Sequence, residues 1–257
     1  MARILKNRLL FLTGRTTIQL LLLSVVFLFA PAEGAAQRRF SKTYPASPVV
    51  RLTLTNRSGT VTVEGWDRPE VQVQAYLEAP AANVNPLMVD GILFINIVKD
   101  NYGRADIGNV NFNIRVPADA AVDIETKIGN LNVSSVRGAL VRAKISSDGD
   151  ITLTNINAQR VMAENGIGNI FFDGDIRANG IYRFTSMRGD INLRVPFNSS
   201  FKLIATAPST RSINLGSFAN GNMRFVGDGR RVTGQVGDGS STLTVTNQRG
   251  SIAFIRR

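Results

Sequence analysis

Six glycines in this chain sit at the centre of the same alternating pattern of apolar and polar residues. Apolar residues follow each glycine two and four places later, and most copies also carry apolar residues five and seven places before it. Such period-two alternation predicts β-strands that turn one face towards a core. The central positions are Gly59, Gly129, Gly149, Gly168, Gly189 and Gly250.

The spacing of these glycines predicts a stack of coils. From Gly129 to Gly189 they lie 20, 19 and 21 residues apart, so each unit is interpreted as strand, glycine corner, strand. One unit cannot bury its apolar face alone, whereas units stacked at the usual inter-strand spacing share a core. The predicted fold class is therefore all-β, a β-solenoid similar to a parallel β-helix, with repeats of about 20 residues.

A second feature of the repeat is a small polar residue three places before the glycine. Its parity places it on the inward face, where it is predicted to bond turn backbone groups as a ladder inside the corner. The copy at Gly149 slips, with one extra residue in Ser146-Ser147-Asp148. The ladder positions are Asn56, Thr126, Asn165, Ser186 and Asn247.

Residues 1–36 have the composition of an export signal. Arg3, Lys6, Arg8 and Arg15 precede a run of thirteen largely apolar residues, and the small-residue stretch PAEGAA follows. This run is shorter than the roughly 20 residues of a membrane-spanning helix. The pattern predicts a signal peptide cleaved after Ala36 and a protein exported to the periplasm, the cell surface or the exterior. An uncleaved N-terminal anchor is the alternative.

The rest of the chain divides into three parts. Residues 37–48 are expected to form a loose lead-in, and 49–117 an N-terminal β region arranged as a β-meander. Residues 118–257 form the solenoid repeat region, interrupted by an irregular excursion over 197–240 that is rich in glycine, asparagine and serine.

Several of these motifs resemble a known family. The unit IETKIGNLNV, the Val-Pro step before Ala118 and the closing stretch GDGSSTLTVTNQRGSI are similar to those of the bacterial "putative adhesin" family of unknown function. The resemblance covers most of residues 45–257 and implies an exported β-solenoid of the head-domain adhesin type. It implies no catalytic residue.

The residue types limit the chemistry. The chain has no histidine and no cysteine, which excludes Ser-His-Asp, Cys-His and typical zinc or copper sites. We therefore predict no catalytic, cofactor or metal residue and no enzyme activity. Two alternatives remain open: outward aspartates that hold Ca²⁺, and polysaccharide cleavage by carboxylates. The acids to test are Asp148, Asp150, Asp173, Asp175 and Asp190, of which Asp150 and Asp190 are expected to cap turns.

Two glycine-rich motifs and one Arg-Gly-Asp motif are interpreted as turns. Gly227-Asp228-Gly229 and Gly237-Asp238-Gly239 lack the helix and the Lys-Ser/Thr pair of a phosphate loop. The tripeptide Arg188-Gly189-Asp190 occupies the corner slot of the repeat, so its glycine and aspartate are explained by the fold. Arg188 is left as a candidate partner contact.

Phe171 is the second candidate partner contact. It faces outward where other copies carry Asn132, Thr152 or Asn192. It is expected either to be covered by the excursion over 197–240 or to anchor a partner.

The charge favours anionic partners. Residues 1–36 contain four of the 30 basic residues and one of the 19 acidic ones, so the remainder carries a net charge of +8. An anionic envelope component or a glycan is the expected partner, and a solvated basic surface is the alternative. Basic runs interleaved with aromatic residues are missing from the sequence, so nucleic acid is not expected.

The function predicted from the sequence is that of a non-catalytic exported β-solenoid, an adhesin-like binding protein or cell-envelope scaffold. One alternative is an enzyme that acts on envelope polysaccharide through aspartates. The other is a structural protein that self-associates end to end through exposed strand edges.

The first prediction concerns the N-terminus. Because a basic segment and a short apolar run precede PAEGAA, we expect the exported protein to begin at Gln37. Mass spectrometry of the envelope fraction should find the peptide that starts there. Recovery of an intact peptide starting at Met1 would instead establish the anchor.

Overall fold

The computed structural model describes residues 38–209, 212–220, 222–226 and 230–257. The predicted signal segment 1–36 and Gly227-Asp228-Gly229 lie outside the described residues. All of the described residues belong to one compact unit, Gln37–Arg257. Within the described part of the chain, no helix is long and apolar enough to cross a membrane.

The described residues form 21 strands, one short α-helix, α1 (Ile97–Asp100), and a 3₁₀ helix at Gly216–Asn220. The strands are β1 (Arg38–Pro45), β2 (Arg51–Ser58), β3 (Val61–Trp66), β4 (Glu70–Leu77), β5 (Leu87–Val89), β6 (Ile92–Asn96), β7 (Val110–Pro117), β8 (Ala121–Ile128), β9 (Leu131–Ser134), β10 (Leu140–Asp148), β11 (Ile151–Ile156), β12 (Arg160–Ile167), β13 (Ile170–Gly174), β14 (Ile181–Arg188), β15 (Ile191–Val195), β16 (Phe201–Thr206), β17 (Ile213–Asn214), β18 (Asn222–Val226), β19 (Arg231–Val236), β20 (Ser241–Asn247) and β21 (Ile252–Arg256).

The strands build two sheets, and each solenoid coil gives one strand to each sheet. The ten-stranded sheet has the order β1-β4-β7-β3-β9-β11-β13-β15-β21-β17, and the eleven-stranded sheet the order β18-β19-β16-β20-β14-β12-β10-β8-β2-β6-β5. Pairing between successive repeat coils is parallel throughout. The predicted β-solenoid is confirmed.

The register of the repeats agrees with the alternation in the sequence. Ile191 pairs with Ile170, and both side chains are fully buried. Asn192, between buried Ile191 and Leu193, lies on the outer face beside Phe171. The core between the two sheets is aliphatic for most of its length and contains tilted ring contacts of Phe172 with Tyr182 and Phe184.

Glycine is required at the corners for two reasons. All six corner glycines have positive φ, between 110° and 145°, which side chains rarely tolerate. In addition, a Cβ at Gly168 would overlap the carbonyl oxygen of Gly149, and a Cβ at Gly189 would overlap that of Gly168. The corners are therefore stacked backbone on backbone.

The predicted ladder inside the corner is present in part, because the buried Oγ of Ser186 has no hydrogen-bond partner among the described residues and Ile145 interrupts the column. Asn56, Thr126, Asn165, Ser186 and Asn247 are all buried. Nδ2 of Asn165 donates to the carbonyl of Gly149, and Nδ2 of Asn247 donates to that of Gly189, at 2.8 Å each. The extra residue before Gly149 forms the register shift between Ile145 and Asp148, so Ile145 aligns with Thr126 and Asn165.

The N-terminal region differs from the prediction in two respects. Residues 49–117 are not a meander, because β2 pairs in parallel with β8 and β6, and β3 in parallel with β9 and β7. These strands are therefore coils of the same solenoid. Residues 38–45 are not a loose lead-in but form β1, antiparallel to β4 at the end of the ten-stranded sheet.

At both ends of the stack, chain order and spatial order differ. The coil β6–β7 lies outside β2–β3, and the chain then returns inside with β8. After β15 the chain does not form the next coil of the stack; the excursion instead forms β16 and β17, which lie one coil beyond that position. The last unit, β20–β21, then occupies the gap between them and β14–β15. The excursion is therefore an outer coil, extended by antiparallel β19 and β18.

The second prediction tests the corner stacking. Gly168→Ala should cost more than about 4 kcal/mol of unfolding free energy, because strained φ is combined with backbone overlap. Gly103→Ala is the matched control: Gly103 also has positive φ, at 80°, but a Cβ there would meet open space. We expect it to cost about 1–3 kcal/mol. Urea unfolding measures the loss of stability in both variants. Equal losses would contradict the conclusion that backbone contact between neighbouring corners requires glycine.

Candidate functional site

The tripeptide Arg188-Gly189-Asp190 is a corner of the solenoid. Gly189 is stacked between Gly168 and Gly250, and its amide donates to the carbonyl of Arg249 at 3.0 Å. Arg188 and Asp190 flank it, both exposed. The three residues therefore share a turn, but each belongs to a different column of the stack.

Asp190 belongs to a polar ladder on the outside of the corner. In four of the six coils, Oδ1 of the residue that follows the corner glycine accepts the backbone N–H of its counterpart in the next coil. The acceptors are Asn130, Asp150, Asn169 and Asp190. Asp190 also accepts from Oγ of Ser251 at 2.8 Å. The prediction that Asp150 and Asp190 bond turn groups is confirmed, and both acids have a structural role.

The acids at the opposite corner are paired as well. Asp173 is buried and lies 2.5 Å from Nη2 of Arg194 and 3.5 Å from Nε of Arg257. Asp175 accepts from Arg257 and from Asn157. Hydrogen bonding to Asp173 raises the pKa of the Arg194 guanidinium above its ordinary value. Within the described residues, no cluster of three or more acids could hold a metal ion.

Several cations on the outer sheet faces are paired with acids of the same face. On the eleven-stranded sheet, Asp123 lies 2.8 Å from both Arg51 and Arg142, and Glu125 lies near Arg142 and Lys144. Hydrogen bonding to Asp123 raises the pKa of Arg142. Arg115 pairs with Glu64 on the other sheet. Because these cations form ion pairs within the protein, they are less available to a ligand.

A basic groove lies along the residues that precede the corner glycines. We call the residues one and two places before the six glycines the corner column. It comprises Arg57, Ser58, Lys127, Ile128, Ser147, Asp148, Gly166, Ile167, Met187, Arg188, Gln248 and Arg249. Within it a groove of about 340 Å³ is lined by Ser146, Ser147, Gly166, Ile167, Met187, Arg188, Gln248 and Arg249.

The two arginines of this groove are neighbours in space. The coils of Gly189 and Gly250 are adjacent, so Arg188 and Arg249 start from backbones about 4.8 Å apart. Their side chains and that of Lys127 make no ion pair with any carboxylate that the structure describes. Adjacent unpaired guanidinium groups repel each other and favour an anion between them.

The remaining lining of the groove is apolar and hydroxylic. Ile167 is 42% exposed and Met187 56% exposed. Gly166 adds no side chain, and Ser146, Ser147 and Gln248 offer hydroxyl and amide groups. The bulge at Ser146-Ser147, where the repeat gains its extra residue, forms one wall.

Phe171 lies elsewhere on the molecule. It is half-buried on the outer face of the ten-stranded sheet, between Thr152 and Asn192. The strands of the excursion extend the end of the stack beyond β21 rather than lying over this face. They therefore do not supply the predicted cover. The structure does not bring Phe171 and Arg188 into one site.

Arg188 could be identified as a candidate from the sequence, whereas the groove around it could not. Arg249 precedes Gly250 as Arg188 precedes Gly189, so the sequence does show that the two arginines occupy equivalent positions of the repeat. However, Gly250 comes 61 positions after Gly189 in the sequence. Their adjacency depends on the last coil filling the gap left by the excursion, which the repeat pattern does not specify.

Comparison with known proteins gives a family. The family model described as Toastrack DUF4097 matches residues 45–254. The chain belongs to this family. The resemblance found in the sequence, to the bacterial "putative adhesin" family of unknown function, is confirmed with it. No curated protein matches the chain.

Three solved structures that match this Toastrack DUF4097 protein share little sequence with it. A "putative cell adhesion protein" from Clostridium sporogenes is 12% identical with a TM-score of 0.46, covering 85% of this chain and 99% of its own. A "putative adhesin" from Bacteroides fragilis is 11% identical with a TM-score of 0.41, covering 86% and 98%. A "putative lipid binding protein" from Parabacteroides distasonis is 9% identical with a TM-score of 0.37, covering 85% and 97%.

The third prediction concerns Asp190. Asp190→Ala removes the acceptor for both Ser251 groups and should cost about 1–2 kcal/mol of unfolding free energy. Asp190→Asn retains Oδ1 and should stay close to the parent protein. Asp148→Ala is the control, because that exposed side chain has no described partner, and it should cost within about 0.5 kcal/mol. Thermal or urea unfolding measures the stability of the three variants. An Asp190→Ala variant as stable as the parent protein would show that Asp190 does not stabilise the corner.

Proposed function

We propose that this protein is an exported, non-catalytic binding protein of adhesin-like function. It holds an anionic glycan of the cell envelope in the basic groove of the corner column. The observation that carries the proposal is the pair Arg188 and Arg249. These two guanidinium groups come from adjacent coils, border one groove and have no described acidic partner, whereas the cations of the sheet faces named above are paired. Arginine binds carboxylate and phosphate groups through two parallel hydrogen bonds.

The shape and lining of the groove support a sugar as the ligand. Its volume of about 340 Å³ is in the range occupied by small ligands. Exposed Ile167 and Met187 provide an apolar surface for the face of a sugar ring, while Ser147 and Gln248 provide groups that can bond its hydroxyls. Nucleic acid is disfavoured because the eight lining residues include no aromatic side chain on which bases could stack.

The distribution of acids supports a non-catalytic function. Glycosidic cleavage generally uses two carboxyl groups on either side of the bond that breaks. The lining of the groove contains none, and Asp150, Asp173, Asp175 and Asp190 have structural partners. The enzymatic alternative therefore has no carboxyl pair at the groove.

Export remains part of the proposal and rests on the sequence of residues 1–36. A basic start, a short apolar run and small residues before Gln37 direct a chain out of the cytoplasm. A surface or periplasmic location would bring the groove into contact with acidic envelope polymers. Net positive charge on the exported part would increase the rate of that encounter.

The fourth prediction tests this function. The exported protein, purified from cells that express the full chain, should bind acidic polysaccharides on a glycan array and leave neutral ones unbound. Binding should weaken as salt is raised, because the attraction is between exposed charges. The products should show no shortening of the polymer. Preference for neutral glycans, or cleavage of an acidic one, would contradict the proposal.

A paired variant locates the binding. Arg188→Ala with Arg249→Ala should lower the affinity for the acidic polysaccharide by at least about tenfold, the effect of losing one charge-assisted contact of about 1.4 kcal/mol. Arg183→Ala with Lys202→Ala is the matched control, because it removes two exposed cations from the eleven-stranded sheet. Equal losses in both variants would show that net charge, rather than the groove, governs binding.

A further inference from the structure

A second groove opens on the same corner column, nearer the N-terminal end of the stack. It has a volume of about 310 Å³, and Arg57, Lys127, Val98 and Tyr102 are among the residues that line it. Tyr102 is 92% exposed and Val98 51% exposed. The Arg57 guanidinium donates to the carbonyls of Arg104 and Ala105, whereas Lys127 has no described ion-pair partner.

The two grooves are aligned along the axis of the stack. Lys127 belongs to the coil of Gly129, and Arg188 belongs to the coil of Gly189, three coils further on. At about 4.8 Å per coil their backbones lie roughly 14 Å apart. Arg249 extends the column by one more coil. Lys127 stands two places before its glycine, whereas Arg188 and Arg249 stand one place before theirs. The cations therefore occupy two neighbouring rows of the corner column, on one side of the molecule.

The column between the cations is suited to a chain rather than to a single small molecule. Ile128 and Ile167 stand in it, 46% and 42% exposed. Such side chains offer apolar contact to successive rings of an extended polymer. The length of one pyranose residue in an extended glycan is close to the coil spacing, so that successive sugars can meet equivalent positions on successive coils.

We infer that the corner column is a linear binding track for an extended acidic glycan, with about one sugar residue for each coil. The chain runs parallel to the stack axis, with acidic groups at Arg188 and Arg249 at one end and at Lys127 at the other. This inference rests on the proposed function and extends it from a single groove to two grooves that act on one polymer. Two weak sites on one chain increase the affinity for long ligands without new contacts.

One residue of the column opposes an anion, and this has a measurable consequence. Asp148 lies between Ile128 and Ile167 in the column and is exposed. Its carboxylate would repel an acidic group on the sugar that crosses its coil. The track should therefore bind polymers more tightly when this charge is removed.

The experiment measures affinity against ligand length. The probes are galacturonic acid, its dimer and its hexamer, titrated calorimetrically into the exported protein at one fixed salt concentration. If the track exists, the hexamer should bind at least about tenfold more tightly than the dimer, because the second groove is engaged only by the longer chain. Equal affinities for the dimer and the hexamer would overturn the track and leave the single groove of the proposed function intact. No binding of any of these probes, together with no acidic glycan bound on the array, would remove both.

Variants distinguish the two ends of the track. Lys127→Ala should weaken hexamer binding several-fold and leave dimer binding unchanged, whereas Arg188→Ala should weaken both. Asp148→Asn should strengthen hexamer binding. Lys202→Ala removes an exposed lysine outside the column and serves as the control, with no change expected. Loss of dimer binding in Lys127→Ala, or an equal effect of Lys202→Ala, would contradict the track, as would displacement of the hexamer by anionic vesicles at matched charge concentration.

Discussion

The close approach of backbone at the corner glycines is the constraint on which the rest of the structure depends. At each corner the space that a Cβ would need is occupied by a carbonyl group of the neighbouring coil. Only glycine allows that approach, and only the approach allows parallel strands on both sides of the corner to keep their hydrogen bonds. The alternation of buried and exposed side chains then has a fixed starting point in every coil.

Two polar ladders accompany the glycine column and determine which residues remain free for function. Inside the corner, amides such as those of Asn165 and Asn247 satisfy glycine carbonyls. Outside it, Asn and Asp side chains satisfy backbone N–H groups of the next coil. Aspartate at these outer positions is a structural acceptor, although its exposure suggests chemistry. The cationic side chains of Lys127, Arg188 and Arg249, just before the glycines, have no described structural partner of this kind, whereas Arg57 donates to backbone carbonyls and Gly166 leaves no room for a side chain. Binding residues can therefore vary at the first three positions without loss of the fold.

The repeat units could be predicted from the sequence because their information is local. Parity around Gly189 correctly placed Ile191 inside and Asn192 outside, and the extra residue at Ser146-Ser147 predicted the observed register shift. The order of the end coils could not be predicted, since every unit offers similar strands to every other unit. Strand β1 was missed because its basic and Pro-containing sequence is typical of a loose segment, although it pairs along its whole length with β4. Of the candidate site, Arg188 was predicted, whereas its pairing with Arg249 required the spatial order of the coils.

At both ends of the stack the order of the coils differs from their order in the chain, and this affects whether copies of the protein could associate end to end. A plain solenoid would leave a flat parallel edge at each end, where another copy could add. Here the N-terminal edge of the ten-stranded sheet is antiparallel β1, which carries Arg38, Arg39 and Lys42, and charged edge strands oppose further pairing. At the other end β20–β21 is enclosed between β14–β15 and the outer coil β16–β17, and antiparallel β19 and β18 follow. That end is completed by β20–β21, which follow β16–β17 in the chain but precede them in the stack, so the solenoid cannot form in simple chain order. Its ends are therefore built by long-range pairing, in contrast to the nearest-neighbour stacking of the coils between them.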